Sequence, residues 1–190
     1  MTRVLFAACA LSLLACATTA TNTKPEKPQQ TAADFYPLSI GNTWTYEVKL
    51  LGETRQIEVS TLRKNGEGFV EDSTGAQFMA DNYGVRDQKR YLLRNPIAAG
   101  TKWTNVVSVS SVENYEITGA GQPCEAPAGK WEDCVVVESR NRVEEGTVLV
   151  NEMTFAPGVG IVTLSTVLES NGKRIPQSTL SLLKFAPPRS

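Results

Sequence analysis

From Asp34 to the C-terminus, apolar and polar side chains alternate along this chain with a period of two. The pattern is clearest where Trp44, Tyr46, Val48 and Leu50 are separated by single polar residues. Such alternation is typical of a strand with one buried face, because neighbouring side chains of a strand point to opposite sides. Longer stretches show no apolar stripe at helical spacing, and only the segment 91–99 leaves room for a helical turn.

Turn-forming residues divide this region into short strands. Asn65-Gly66 and Asn171-Gly172 are each predicted to form a tight type I′ hairpin, in which both central residues need positive φ. Turn residues recur throughout, so we predict one all-β domain over residues 34–190, built as a single antiparallel meander. Such a long sheet must curl to bury its apolar face and protect its edges. We expect a strongly curved sheet or partly open barrel, and a two-sheet β-sandwich is the alternative.

The N-terminus has the pattern of a bacterial lipoprotein signal. Arg3 is followed by an uncharged apolar run over residues 4–14, which is too short to span a bilayer as a helix. The run ends in Leu13-Leu14-Ala15-Cys16, which resembles the bacterial lipobox, in which the cysteine is acylated and becomes the new N-terminus. We predict that residues 1–15 are a cleaved signal peptide and that acyl chains such as palmitate on Cys16 anchor the protein to a membrane. The alternative is an ordinary secretory signal.

The lipidated cysteine and a disordered tether are predicted to occupy residues 16–33. After Cys16 this segment has no aromatic residue and no aliphatic residue larger than Ala, so it cannot bury enough apolar surface to become ordered. A tether of this length spans about 20–25 Å. By resemblance to the sorting rule of Gram-negative lipoproteins, Ala17 after the cysteine favours the outer membrane. We expect the domain to face the periplasm rather than the cell surface.

Composition and charge exclude several functional classes. The 190-residue chain has a formal net charge of −1 and no basic stretch, which argues against nucleic acid as a partner. It has no His, the commonest general base and metal ligand, and no catalytic, metal or cofactor motif. We therefore predict a protein without enzymatic activity, metal or cofactor. Cys124 and Cys134 flank a short loop and are predicted to form a disulfide in an oxidising compartment, with two free thiols as the alternative.

Four segments share features with other bacterial envelope proteins. Residues 35–46 contain Tyr-Pro-Leu-x-x-Gly-Asn-x-Trp-x-Tyr and residues 155–162 contain Ala-Pro-Gly-Val-Gly, with two further matching segments at 93–103 and 127–134. Together they resemble a loose group of uncharacterised bacterial lipoproteins and secreted domains. The resemblance implies an all-β envelope domain with a curved sheet similar to that of the lipoprotein-localisation factors. It implies no catalytic residues, because the group has no assigned activity.

Two non-enzymatic roles are consistent with these features. The first is a structural or protein-interaction role in the cell envelope, which we favour because it requires no hidden cavity. The alternative is a binding or carrier module that holds an apolar ligand, such as a lipid or acyl chain, in the curved sheet. Its site would be lined by six large aromatic side chains, although for each of them a place in the packed core is the favoured alternative: Trp44, Tyr46, Phe78, Tyr91, Trp103 and Trp131.

Overall fold

The computed structural model describes residues 29–188, which form one short helix and twelve strands. The elements are α1 (Ala32–Phe35), β1 (Thr43–Leu50), β2 (Glu53–Lys64), β3 (Val70–Asp72), β4 (Gln77–Asp81), β5 (Gly84–Arg86), β6 (Tyr91–Arg94), β7 (Lys102–Ser108), β8 (Ser111–Ala126), β9 (Gly129–Glu144), β10 (Thr147–Ala156), β11 (Gly160–Ser170) and β12 (Lys173–Ala186). All twelve strands belong to one antiparallel sheet in the order β6-β5-β4-β3-β2-β1-β12-β11-β10-β9-β8-β7. The sheet curls into a nearly closed barrel with one unsealed seam, between β6 and β7, which confirms the predicted meander and curvature.

The two ends of the barrel differ. Four long hairpins, β1–β2, β7–β8, β9–β10 and β11–β12, turn at the same end, because neighbouring strands alternate in direction. We call this the distal end. Helix α1 lies at the opposite, proximal end, where the Ala32 amide donates to Asn95 Oδ1 (2.9 Å) and the Gly158 amide donates to the Asp34 carbonyl (2.7 Å).

Only the proximal half of the barrel has all twelve strands around it. Strands β3 to β6 have three to five residues each, and β3 pairs with β2 only from Thr61 to Lys64, near the proximal end of β2. The distal half is therefore an eight-stranded wall from β2 round to β7. Its inner face is partly open to solvent, since Leu50 and Ile175 point inward there and are 45% and 46% exposed.

Apolar side chains pack the proximal half in two clusters. The first cluster lies under α1 and is centred on side chains that are almost fully buried, among them Phe35, Leu93, Ile117, Val137 and Phe155. The second surrounds the start of β1 and includes Trp44, Tyr46, Val162 and Leu182. This burial explains the period-two pattern, because alternate residues of each strand enter these clusters.

Helix α1 begins at Ala32, whereas the sequence pattern predicts a disordered tether through residue 33. Ala32 is fully buried, and the Asp34 carboxylate accepts hydrogen bonds from the amide (2.7 Å) and hydroxyl (2.9 Å) of Thr31, which caps the helix. The segment around 91–99 forms strand β6 and a loop instead of the helical turn that we allowed. The predicted signal peptide, Cys16 and most of the tether lie outside the described residues.

The two Asn-Gly hairpins have different outcomes. Asn171 and Gly172 have φ angles of 50° and 73°, which confirms the tight turn between β11 and β12. The prediction for Asn65-Gly66 is wrong, because neither residue has positive φ. The Asn65 side chain instead accepts hydrogen bonds from the amides of Glu67 and Phe69, both at 3.0 Å, and thereby opens a longer turn between β2 and β3.

The predicted disulfide is present. Cys124 of β8 and Cys134 of β9 are joined, with their Cα atoms 5.9 Å apart. The bridge lies where β8 and β9 lose their regular register, since shifts occur on both sides of Gln122. It therefore ties together the part of this hairpin in which the ladder is least regular.

We expect removal of this disulfide to destabilise the fold measurably. The double substitution Cys124→Ala and Cys134→Ala should lower the free energy of unfolding by about 2–3 kcal/mol, because the unfolded chain loses a short covalent loop. Urea unfolding of both proteins under oxidising conditions measures the difference. Adding a reductant to the unsubstituted protein should reproduce most of it, and an unchanged midpoint in both experiments would contradict the prediction.

Candidate functional site

Three of the predicted ligand-binding aromatics are buried and hydrogen-bonded within the chain. Trp44, Tyr46 and Trp103 are less than a tenth exposed. Trp44 Nε1 donates to the Val159 carbonyl (2.6 Å), and the Tyr46 hydroxyl donates to the Ile161 carbonyl (3.0 Å). Trp103 Nε1 donates to the Tyr91 carbonyl (2.8 Å) across the seam between β6 and β7. Their polar atoms thus serve the structure of the barrel.

The other three aromatics are half-buried. Phe78 packs against Tyr36, with ring centroids 5.4 Å apart, and the Tyr91 hydroxyl donates to Asp81 Oδ2 (3.0 Å). Trp131 packs against the second cluster, whereas Trp103 and Tyr91 belong to the first. The structure does not bring the six side chains together at one surface. Their role in ligand binding stays a prediction.

The seam between β6 and β7 is bridged by side chains instead of a strand ladder. Asn105 Oδ1 accepts from the Tyr91 amide (3.0 Å), and Asn105 Nδ2 and Trp103 Nε1 both donate to the Tyr91 carbonyl (3.1 and 2.8 Å). Asn105 and Trp103 are both 5% exposed and point to the inner face of β7. Strand β6 is therefore held beneath β7, from inside the barrel, and does not lie beside β7 in the plane of the sheet.

The Arg90 guanidinium joins the two sides of the same seam nearer to the distal end. Arg90, which precedes β6, contacts Glu113 of β8 (Nε to Oε2, 2.9 Å) and Asp87 (Nη1 to Oδ2, 3.4 Å). The Tyr115 hydroxyl also donates to Glu113 Oε2 (3.0 Å). Burial raises the pKa of the Tyr115 hydroxyl, and the adjacent Glu113 carboxylate raises this pKa further, so Tyr115 remains a hydrogen-bond donor.

A row of polar side chains crosses the inner face at the boundary between the packed and open halves. It contains one residue from each of the five strands β8 to β12, and each residue is paired directly with the next. We call this set the polar row: Tyr115, Ser139, Asn151, Thr166 and Ser178. Thr166 Oγ1 donates to Asn151 Oδ1 (2.9 Å), and Asn151 Nδ2 donates to Ser139 Oγ (3.2 Å). Distal to this row, Leu149, Leu168 and Ile175 lie side by side on the inner face.

Exposed apolar side chains are concentrated at the distal end. Of the ten large apolar side chains that are exposed within residues 29–188, seven lie on the four distal hairpins: Leu50, Leu51, Val106, Val109, Val112, Val143 and Ile175. Val106 and Val112 are cross-strand neighbours on the outer face of the β7–β8 hairpin. Leu50 and Ile175 face the interior, so the exposed apolar side chains are distributed around the distal end on both faces of the sheet.

Sequence reasoning found neither the seam contacts nor the polar row. Ser139, Asn151 and Thr166 occupy inward positions of strands that otherwise bury apolar residues, and this is the pattern that could have revealed the row. Recognising it requires the register between strands, which alternation alone does not give. Asn105 was part of a predicted strand, but its bonding role depends on closure of the barrel by β6.

We expect Asn105→Ala to loosen β6 without unfolding the barrel. The substitution leaves the Tyr91 amide without its partner and removes one donor from the Tyr91 carbonyl, which should destabilise the seam by about 2 kcal/mol. Hydrogen exchange at the β6 amides should then be roughly thirtyfold faster. The control is Asn114→Ala, which removes an exposed hydrogen bond to Thr104 on the outer face (3.0 Å) and should leave β6 unchanged. Equal effects of both substitutions would contradict the prediction.

We also expect stability to fall in alkali. Burial raises the pKa of Tyr46 and of Tyr115 above the usual value, so the unfolded chain releases these protons first. The resulting stabilisation is fully present below the unfolded tyrosine pKa of about 10 and is lost as the pH rises toward the folded pKa values. Tyrosinate absorbance and circular dichroism should change together above about pH 10. Ionisation of all the tyrosines with an unchanged dichroism spectrum would contradict this.

Between Gln29 and Pro188, no group of three or more His, Cys, Asp or Glu side chains could hold a metal ion, and no helix is long and apolar enough to cross a membrane. No family model and no curated protein matches the chain. A solved structure described as a "putative lipoprotein" from Parabacteroides distasonis is similar, with 13% sequence identity and a TM-score of 0.43, over 83% of this chain and 100% of that one.

Proposed function

We propose that this chain is a lipid-anchored envelope protein without enzymatic activity, which binds a protein partner through its distal end. The observation that carries the proposal is the concentration of exposed apolar side chains on the four distal hairpins. Apolar side chains exposed in this number at one end of a domain favour contact with another molecule there. The charge balance of the chain gives no reason to expect a nucleic acid there.

The position of α1 supports the choice of this end. The chain enters the barrel at the proximal end, where α1 is bonded to the loops at Asn95 and Gly158. An anchor on Cys16 would lie beyond this end, at the far side of a linker that spans roughly 20 Å. The distal hairpins then point away from the anchoring membrane. For an outer-membrane anchor that faces the periplasm, as Ala17 favours, they would point into the periplasm.

Leu51 is the most informative residue of the distal end. It occupies the tip of the β1–β2 hairpin with a φ of 49°, where aliphatic side chains are rare, and it is 78% exposed. A left-handed conformation costs a residue with a Cβ atom about 1–2 kcal/mol, and burial within this chain does not offset that cost. Strained residues of this kind cluster at functional sites. An apolar contact with a partner would explain why Leu occupies this position.

Leu51→Asn tests the proposal without weakening the fold. Asn tolerates positive φ better than Leu, so the variant should be as stable as the unsubstituted protein or more stable, by up to about 1 kcal/mol. A photoreactive phenylalanine analogue at Val109 should capture a protein partner in living cells, and Leu51→Asn should reduce that capture at least about tenfold. The same analogue at Tyr83, an exposed side chain of the proximal half, is the control. Equal capture at Val109 and Tyr83 would refute the proposal.

Cys16→Ser tests the anchor separately. The substituted protein should lose metabolic labelling with an alkyne fatty acid and leave the membrane fraction, because no acyl chain can attach. The matched control is Cys9→Ser, which changes a cysteine inside the predicted signal peptide and should leave labelling and membrane association intact. Labelling that persists in Cys16→Ser would assign the anchor to another residue.

An apolar ligand is the second candidate. It is favoured by the inward-facing row of Leu149, Leu168 and Ile175, which lies beside the polar row in the open distal half. Native mass spectrometry of protein purified from the periplasm without detergent tests it. A stoichiometric adduct of lipid size, lost in Leu168→Asp, would support the carrier role. An adduct-free mass for the unsubstituted protein would count against it.

A further inference from the structure

We propose that strand β7 accepts an extended segment of another polypeptide as an additional strand at the seam. The inference rests on the proposed protein-binding function and assigns it a specific mode, β-strand addition. Three observations carry it. Main-chain groups of β7 face the seam without a strand partner, the side chains beside them are exposed, and β6 is bound through side chains on the inner face of β7.

Hydrogen-bond alternation shows which main-chain groups of β7 face the seam. The Ile117 amide of β8 donates to the Thr101 carbonyl (2.9 Å), and the Ile117 carbonyl accepts from the Gly100 amide (2.8 Å). In an antiparallel pair bonded residues alternate, so Trp103 and Asn105 turn their main-chain groups toward β8. The main-chain groups of three residues then face away from β8: Lys102, Thr104 and Val106.

Strand β6 does not satisfy these groups. The bonds that cross the seam come from the side chains of Trp103 and Asn105 and reach the main chain of Tyr91 on the inner side. Within the described range 29–188, β7 pairs only with β8, so the edge formed by Lys102, Thr104 and Val106 lies open in the plane of the sheet. All three side chains are exposed.

Most of this edge carries no charge that would oppose the pairing of another strand. No charged residue occurs from Trp103 to Val112, whereas natural edge strands are usually protected from pairing by charges. Lys102 at the proximal end of the edge is 69% exposed and contacts Glu116 (3.2 Å). A groove of about 420 Å³ borders the edge on the outer face, where side chains of an added strand would lie. A β-branched segment with a carboxylate opposite Lys102 is the complementary partner.

A second copy of this chain is not the occupant that we propose. Antiparallel pairing of two β7 strands about a two-fold axis would turn the barrels end over end. The two proximal ends, and with them the two anchors, would then lie at opposite ends of the pair. Strands such as β8, with 16 residues, run for about 50 Å, which exceeds the roughly 20–25 Å average span of the linker. Two copies anchored in one membrane could therefore pair in this way only by lying along the membrane, and not with their distal ends pointing away from it.

A synthetic peptide provides a direct test. The probe is the capped heptapeptide Thr-Val-Thr-Thr-Thr-Glu-Thr, which in antiparallel register places Val opposite Val106 and Glu opposite Lys102. The peptide is added to the ¹⁵N-labelled mature chain carrying C16S. This protein is exported with an ordinary cleavable signal peptide, so it is not acylated and stays out of the membrane. Saturable amide shifts are expected at Thr104 and Val106 and not at Glu152, which is exposed on β10 and paired on both sides, with Glu138 and Ser165. The same peptide, N-methylated at the amides that face β7, should bind at least about tenfold more weakly.

Val106→Pro tests the orientation of the edge. Because the Val106 amide faces the open side, proline should be accepted there with little change in the urea midpoint, yet it should abolish the peptide-induced shifts. Three results would overturn the inference: no saturable shifts, equal binding of the N-methylated peptide, or unfolding by Val106→Pro. Self-association that shifts the same amides without peptide would also overturn it, in favour of a second copy. Capture at Val109 that depends on Leu51, together with a failed peptide, would leave the proposed function standing and remove only strand addition.

Discussion

Gly84→Ala is expected to destabilise the protein by about 3 kcal/mol or more, because the new methyl group has no space. A Cβ atom on Gly84 would lie 2.1 Å from the Leu93 carbonyl oxygen and 3.0 Å from the Arg94 Cα atom, both in the main chain of the paired strand β6. Main-chain atoms cannot turn aside as a flexible side chain can, so β5 and β6 must separate. Val85 and Leu93, both fully buried, would lose their packing with them.

Gly66→Ala is the matched control for this experiment. No atom lies within 4 Å of a Cβ built on Gly66, and its φ is not positive. Its free energy of unfolding should therefore change by less than about 0.5 kcal/mol, or rise slightly because the unfolded chain becomes less flexible. Urea unfolding of both variants measures the contrast. Similar losses in the two variants would contradict the steric argument.

Phe155→Ala is expected to cost about 3–5 kcal/mol, which is a large part of the stability of a domain of this size. Phe155 is fully buried in the first cluster, and its ring centroid lies 6.4 Å from that of Tyr36. Removing the ring leaves a cavity between the strands and α1 that rigid strands cannot close. Thermal and urea unfolding both report the loss.

Leu62→Ala is the control for Phe155→Ala. Leu62 also lies in a strand, but it is 53% exposed, so its truncation should change stability by no more than about 0.5 kcal/mol. A cost for Phe155→Ala as small as that of Leu62→Ala would show that the interior is loosely packed. That result would strengthen the apolar-ligand alternative, because a loosely packed interior can admit a ligand.

The local features of the fold could be predicted, because they depend on neighbours in sequence. Alternation along β1 predicts which side of that strand is buried, and Asn171-Gly172 predicts its own hairpin. The same dipeptide at Asn65 fails because the Asn65 side chain binds the amides of Glu67 and Phe69 and so begins a longer turn. A side chain that competes for main-chain partners in this way is not visible from composition.

The candidate site could be predicted less well, because it depends on contacts between distant strands. The sequence favours a core position over a ligand contact for large aromatics such as Trp44 and Trp103, but the choice depends on how much of the interior the other strands fill. The role of Asn105 depends on where β6 returns after closure of the barrel. Leu51 gives no sign in the sequence of its positive φ, since leucine is uncommon at such a position.

The overlap of β6 beneath β7 has a mechanical consequence. A barrel closed by a continuous ladder has a fixed circumference, because widening it would break a whole row of main-chain hydrogen bonds. Here the two terminal strands of the sheet, β6 and β7, overlap and are not joined by a ladder. They are held together by hydrogen bonds from the side chains of Trp103 and Asn105 and by the contact between Arg90 and Glu113. Releasing these bonds, together with the packing of Leu93 in the first cluster, would let the circumference grow while every strand pair in the sheet stays intact.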